Sequence, residues 1–472
     1  MSAHEHAGND IKDPAGGEAV PTSGRNRGFS RRRLVGAAGV AGLMGVSGFG
    51  GEVLGHRKGI DAAAASGPDE LRYRFRGEVQ QGILTPAQDT MYTVAYTVTT
   101  RNRDGLQRLL TAWTSAAEKM VAGEPVGGAE NTVELPPTDT GEVWGYPPSG
   151  LTITFGFGRS LFVDEHGGDR FGLKDRMPRV LADGVPKFAN EALRAAASDG
   201  DILIQTCSND PQVCVHAVRN LTRIAFGSAT LKWGQIGYGR SSSTSKEQRT
   251  PRNLLGFKDG TANLKAEDDA ELLRRHVWVQ PEDDAAASWL NGGTYVVARK
   301  IHMHLEVWDR VRLSEQQEVI GRDKYHGAPL SVSDPQDSDE FARPDFAAPG
   351  RDGGTAIPAD SHVAVVGADN NQGVRMLRRS YNYTDGNDSL GRLDAGMFFV
   401  AFVRDPRTGF YPVLKKMTEK DALTEYLQHQ ASALFAVPPG IREGDAMVGQ
   451  RLFDERCYDE TRDTGCLRGR LR

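Results

Sequence analysis

Cysteine is scarce in this 472-residue chain, and no two cysteines are spaced C-x-x-C. The four present, Cys207, Cys214, Cys457 and Cys466, give no support to a zinc ribbon, a cytochrome c-type attachment motif or a thioredoxin-type redox pair. Positive charge is not in excess either: 57 Lys and Arg stand against 62 Asp and Glu, for a formal net charge of -5. That removes the electrostatic footprint of a nucleic-acid binder. Strongly hydrophobic runs are also missing. The uncharged stretch 34–51 has the length of a membrane span, but seven of its residues are glycine, which makes it weakly hydrophobic and a poor helix former. No cysteine follows it, so neither a lipoprotein anchor nor a stable membrane anchor is indicated.

Residues 1–65 do not read as fold. Residues 1–28 are polar and rich in Gly, Pro, Asn and Asp. Ser30-Arg31-Arg32-Arg33-Leu34-Val35 then places paired arginines before the weak apolar stretch, and Ala62 to Ala65 supplies small residues for cleavage. This is the pattern of a twin-arginine export signal, with the twin-arginine translocase as a transient partner and an extracellular or cell-envelope destination. That route carries folded proteins, as a rule with cofactors already inserted. In an oxidising space the cysteines can pair, and the two local pairs, Cys207–Cys214 and Cys457–Cys466, are the simplest of three connectivities.

The rest of the chain has two halves of similar grammar, expected at 70–240 and 250–450, followed by a tail at 451–472. In the first, 91–99 (MYTVAYTVT), 151–157 (LTITFGF), 201–206 (DILIQT) and 231–238 (LKWGQIGY) read as strands. Residues 106–120 and 211–225 have apolar residues at helical spacing, the second with Pro in its first turn. The serine-rich stretch 239–251 reads as a joint. In the second half, 294–299 and 397–403 read as strands, and 305–310 and 421–428 as helical. Strand, helix and strand recurring in both halves predicts a duplicated α+β unit with antiparallel sheets. Residues 322–361 show little periodicity, as functional or disordered loops do.

Three separated segments carry candidate chemistry. Gly256-Phe257-Lys258-Asp259-Gly260-Thr261 is a tight loop presenting a carboxylate. His362 follows Ile357-Pro358-Ala359-Asp360-Ser361. Leu377-Arg378-Arg379-Ser380 brings paired arginines. Taken singly these are a turn, a structural histidine and a solvated face. Their order and spacing, with Thr294-Tyr295-Val296-Val297-Ala298-Arg299, Gly321-Arg322-Asp323-Lys324, Gly327-Ala328-Pro329-Leu330 and residues 432–440 (SALFAVPPG), resemble the dye-decolorising peroxidases over residues 70–445.

The resemblance implies two ferredoxin-like halves whose antiparallel sheets form a β-barrel-like core with helices outside, the dimeric α+β barrel type. It implies haem b held by His362 through one ring nitrogen, with the other bonded to an acceptor. Glu425 is the expected acceptor and Asp394 the alternative. Asp259 would move a proton between the peroxide oxygens, and Arg378 would stabilise negative charge on the departing oxygen. Gly256, Phe257, Lys258, Gly260 and Thr261 would line the haem, and Arg322 would pair with a propionate. An aspartate where a histidine is usual implies activity favoured by acid. The implied partners are hydrogen peroxide and an aromatic reductant, a phenol or dye, oxidised through an oxyferryl haem. Tyr381, Tyr383 and Trp308 are candidate electron exits. A homo-oligomer is left open. Two features depart from the common pattern: Ser380 stands where Gly or Asn is frequent, and His302-Met303-His304 would place two imidazoles on one strand face, either as exposed side chains or as a copper or zinc pair. Alternative functions are iron release from haem, or a non-catalytic exported haem or copper carrier.

Overall fold

The computed structural model describes residues 70–454 except 128–132, 337–338 and 351–352. The export leader, the tail beyond residue 454 and the pair Cys457 and Cys466 lie outside the described residues.

The first half supplies strands β1 (Thr90–Val98), β2 (Thr152–Gly158), β3 (Ile202–Ser208) and β4 (Ala229–Arg240). The second supplies β5 (Thr294–Met303), β6 (Leu377–Arg378), β7 (Tyr381–Asn387), β8 (Leu393–Val403) and β9 (Leu427–Val437). The sheet order is β5-β9-β2-β3-β1-β4-β7-β8-β6, and a further β5–β8 pairing closes it on itself. Short β6 lies on the same edge of β8 as β7, with Arg378 opposite Ala401 and Tyr381 opposite Phe398, so the two form one interrupted strand. The result is an eight-stranded antiparallel barrel. Each half has the ferredoxin-like order, with its fourth and third strands flanking the first. Closure leaves no unpaired sheet edge to template aggregation. The seams between halves are thin: Phe157–Ala436 and Gly158–Phe435 on one side, Tyr238–Asn382 and Arg240–Tyr381 on the other.

Strand alternation decides what fills the barrel. Met91, Ala95, Leu203, Val296, Ala298, Phe398, Val400 and Phe435 pack together inside it. Their strand neighbours, such as Val94, Tyr96, Ile202, Ile204 and Val297, face outward into a second core. Helices α1 (Arg103–Val121) and α2 (Pro211–Ile224) cover that outer face in the first half, burying Leu106, Leu109, Leu110 and Trp113 from one, and Val213, Ala217, Val218 and Leu221 from the other. Asn102 and Asp210 cap their N-termini by accepting from Gly105 N and Gln212 N. Burial on both faces is why the strands read as near-continuous apolar runs.

Three sequence expectations need correction. Residues 421–428 are not a helix; they form a 3-10 turn (Ala422–Tyr426) and the start of β9, and the helix of this crossover is Tyr411–Lys420. The helix expected over 305–310 is one turn, Leu305–Trp308. The serine-rich joint is packed away, with Ser241, Ser242, Ser243, Thr244 and Ser245 all buried. Cys207 and Cys214 are free thiols. Cys207 falls on the inner face of β3 with Leu203, whereas Cys214 lies on the helix covering the outer face, so the sheet stands between them.

At Gly396 on β8, opposite His302, an added Cβ would lie 2.0 Å from the Ile301 carbonyl oxygen, a backbone atom that cannot swing aside. Gly396→Ala is expected to destabilise the fold by about 3 kcal/mol in urea titration, whereas Gly354→Ala, with no neighbour within 4 Å, serves as the neutral control. Equal midpoints for the two variants would contradict this close approach.

Candidate active site

The loop carrying Asp259 is folded by its own backbone. Asn253 N donates to Phe257 O at 3.1 Å, and Asp259 N to Pro251 O at 3.0 Å. Gly256 and Gly260 both take positive φ, 84° and 83°, which an L-side chain disfavours. A Cβ on Gly260 would also press to 2.9 Å from Ser242 Cα. The loop thus packs directly on the buried serine run. Asp259 Oδ1 accepts from Arg378 Nη1 at 2.8 Å, and Oδ2 accepts from Asn253 Nδ2 at 3.1 Å.

Arg378 sits where the barrel strand is interrupted. β8 pairs with one edge of β6, and Asn263 completes the other. Its Oδ1 accepts from Arg378 N at 2.7 Å and its Nδ2 donates to Arg378 O at 2.8 Å, as a neighbouring strand would. Ser242 Oγ donates to the same carbonyl at 3.0 Å. Ser380 explains the interruption: its hydroxyl accepts from Val400 N at 3.0 Å and donates to Val400 O at 3.3 Å, replacing ladder bonds. Ser380 is therefore a backbone clamp, with its hydroxyl committed to β8. The main chain of Arg378 is fixed, its Nη1 holds Asp259, and Nε and Nη2 bond no other described residue.

His362 opens a short helix, His362–Val366, at the end of the irregular segment. Its Nδ1 lies 2.7 Å from Asp421 Oδ2. Asp421 has no exposed side-chain surface, while His362 keeps 28% of its own. The carboxylate is sealed and the ring is partly open. Asp421 Oδ1 meanwhile accepts from Leu423 N at 3.0 Å, capping the 3-10 turn. Burial alone would lower the His362 pKa. The Asp421 carboxylate, by charge and hydrogen bond, outweighs it and holds the group above its ordinary value. Asp259 adds to this and Arg378 opposes it, so both charges lie within electrostatic reach of the imidazole. His362 Nε2 bonds no other described residue.

The acceptor expectation is corrected. Glu425 is exposed, and Asp394 faces His302 at 3.4 Å; Asp421 holds His362 instead. In sequence, Asp421 carries only the signal of a turn cap. Arg322 is buried, and its Nη1 donates to Gly327 O and Glu340 O at 2.7 and 2.8 Å, which leaves Nε and Nη2 for an anion. Lys258 pairs with Glu340 at 3.1 Å, Thr261 is half-buried, and Phe257 is buried edge-on to Trp308. The three candidate electron exits do not reach the surface. Trp308 donates to Leu255 O at 3.0 Å, and Tyr381 to Gln88 O at 2.9 Å from inside the barrel. Tyr383 is equally buried. Each is core packing, so none can be the surface contact.

The chain matches the family models described as "Dyp-type peroxidase, N-terminal" at residues 80–239 and "Dyp-type peroxidase, C-terminal" at residues 250–442. It is 36% identical over 432 residues to the deferrochelatase of Escherichia coli (strain K12), covering 90% of this chain and 97% of that protein. Among solved structures, DtpA from Streptomyces lividans, in an X-ray-generated oxyferrous complex, superposes with a TM-score of 0.73 at 36% identity, covering 82% of this chain and 98% of that one. A DyP-type peroxidase from Cellulomonas bogoriensis gives 0.71 at 33% identity, covering 83% and 100%.

A raised folded pKa means that the His362–Asp421 pair stabilises fully below the unfolded value of about 6.5 and loses its effect as pH rises through the folded one. In ligand-free protein, NMR titration should place the His362 midpoint above that value, and Asp421→Asn should lower it. A wild-type midpoint at or below about 6.5 would show that burial wins.

Proposed function

This chain belongs to the Dyp-type peroxidase family, and we propose that its active site is the space between His362 and the Asp259–Arg378 pair. It is a haem-dependent peroxidase, with hydrogen peroxide and a reductant as substrates. The donor set suits a haem. One imidazole nitrogen is anchored by a sealed carboxylate at 2.7 Å, and the other has no described protein partner. Arg322 has guanidinium donors left over for a propionate.

When bound, the haem supplies the iron at which the peroxide O–O bond is cleaved. His362 is the proposed ligand, and Asp421 fixes its tautomer and increases its basicity. Asp259 takes the proton from one peroxide oxygen and returns it to the other; each of its oxygens already holds one donor and keeps a lone pair free. Arg378 directs its uncommitted donors at the charge that develops on the departing oxygen. The ion pair between these two at 2.8 Å, within electrostatic reach of His362, is the observation that carries the reading. A haem or copper carrier has no use for such a pair. The reductant is proposed to be a phenol or dye. Residues 1–65 are proposed to direct export by the twin-arginine translocase to the cell envelope or beyond. Among the described residues no helix is long and apolar enough to cross a membrane.

Iron release from haem is a second reading, favoured by the 36% identity to the Escherichia coli deferrochelatase. The two part on product: iron release leaves an intact, fluorescent metal-free porphyrin, and peroxidase turnover does not. With haem loading matched by Soret absorbance, stopped-flow mixing of Asp259→Asn with peroxide should give a rate at least about 100-fold below wild type. A wild-type rate would remove the proton-transfer role from Asp259.

A further inference from the structure

The barrel interior is apolar along most of its length but turns polar at one end. Lys300 and His302 follow Val296 and Ala298 on the inner face of β5, and the Lys300 Nζ lies 4.4 Å from the centre of the Tyr383 ring. Gly396 of β8 stands between His302 on β5 and Tyr383 on β7, and it brings those backbones together. Asp394 lies two residues from Gly396, and His304 two from His302. Around this point three buried side-chain atoms have no hydrogen-bond partner: His302 Nδ1, Asp394 Oδ1 and the Tyr383 hydroxyl. His302 is 8% exposed and Tyr383 is fully buried. Leaving such groups unsatisfied costs about 1–3 kcal/mol each, so their convergence calls for an occupant.

The spacing identifies one. His302 Nδ1 and Asp394 Oδ1 are 3.4 Å apart but misaligned for a hydrogen bond. Two ligand atoms at about 2.1 Å from a tetrahedral ion are separated by about 3.4 Å. The His302 and His304 rings are 5.1 Å apart between centroids. Two imidazoles on one tetrahedral ion have centroids about 5 Å apart. Among the described residues no three His, Cys, Asp or Glu side chains already stand in metal-binding position. Two do, and His304, half-buried one residue beyond β5, completes the set by turning its ring.

We propose that His302, His304 and Asp394 form a binding site for a first-row divalent ion of the zinc and copper type, at the polar end of the barrel and separate from His362. Two imidazoles and a carboxylate suit these ions and leave a fourth position open, next to the Tyr383 hydroxyl. His304 lies one residue beyond the strand, and the 5.1 Å between ring centroids sets it beside His302, while Gly396 lets Asp394 approach them.

Zn²⁺ is the probe. Full-length, haem-loaded protein is titrated by calorimetry, and the zinc kept after dialysis is counted by mass spectrometry. Wild type should keep one equivalent more than His302→Ala or Asp394→Ala. His304→Ala, at the strand end where folding is least at risk, should weaken that site at least about 10-fold, the loss that even an outer-sphere partner causes. Histidines near the N-terminus bind equally in all four proteins and cancel in the difference. Equal zinc in wild type and His304→Ala would overturn the site, as would zinc displaced from all four alike, which marks an adventitious ion only. Zinc is counted directly, so the result stands apart from any test of peroxide chemistry.

Discussion

A carboxylate with no exposed surface, that of Asp421, holds one nitrogen of His362. The pair has to be made in this form. A buried carboxylate without a partner would be expensive, and a buried imidazole alone would lose its proton affinity. Joined, they leave a basic, oriented nitrogen free. Asp421 also caps the turn that leads into β9, so the barrel strand and the His362 helix are fixed to each other through one side chain.

The Asp259–Arg378 pair depends on a break in the barrel. A continuous strand from 377 to 387 would tie Arg378 into a regular ladder. Ser380 instead spends its hydroxyl on both polar groups of Val400, and Asn263 takes the place of the missing neighbour strand. Arg378 is held by its main chain while its guanidinium remains available. Asn263 lies four residues from Asp259, so one loop positions both members of the ion pair. The buried serine run beneath that loop serves the same purpose: Ser242 bonds the Arg378 carbonyl and accepts from Ser380 N.

Local pattern exposed much of the first half. The β-branched and aromatic strand at Thr90–Val98 and the amphipathic helix at Arg103–Val121 were readable because each obeys one period. β9 was missed, and its first two residues were read as helical, because Gln428, His429 and Gln430 open it and a bulge shifts its register against β5 at that point. The burial of serines 241–243 was not legible within the joint, because it depends on Arg378 and Ser380, more than a hundred residues away. The ring acceptor was missed for the same reason: a cap at Asp421 and an acceptor at Asp421 look identical in sequence. His362, Asp259 and Arg378 came from family resemblance, and the structure brings them within electrostatic reach of one another.

An anionic acceptor bonded to one nitrogen of His362 is proposed to serve a haem iron held by the other. Resonance Raman spectroscopy of the ferrous protein reads this bond directly, through the iron–histidine stretch. The account predicts such a band in wild type, and a shift to lower frequency in Asp421→Asn as the ligand loses basicity. Absence of the band in wild type, or a band that Asp421→Asn leaves in place, would contradict it.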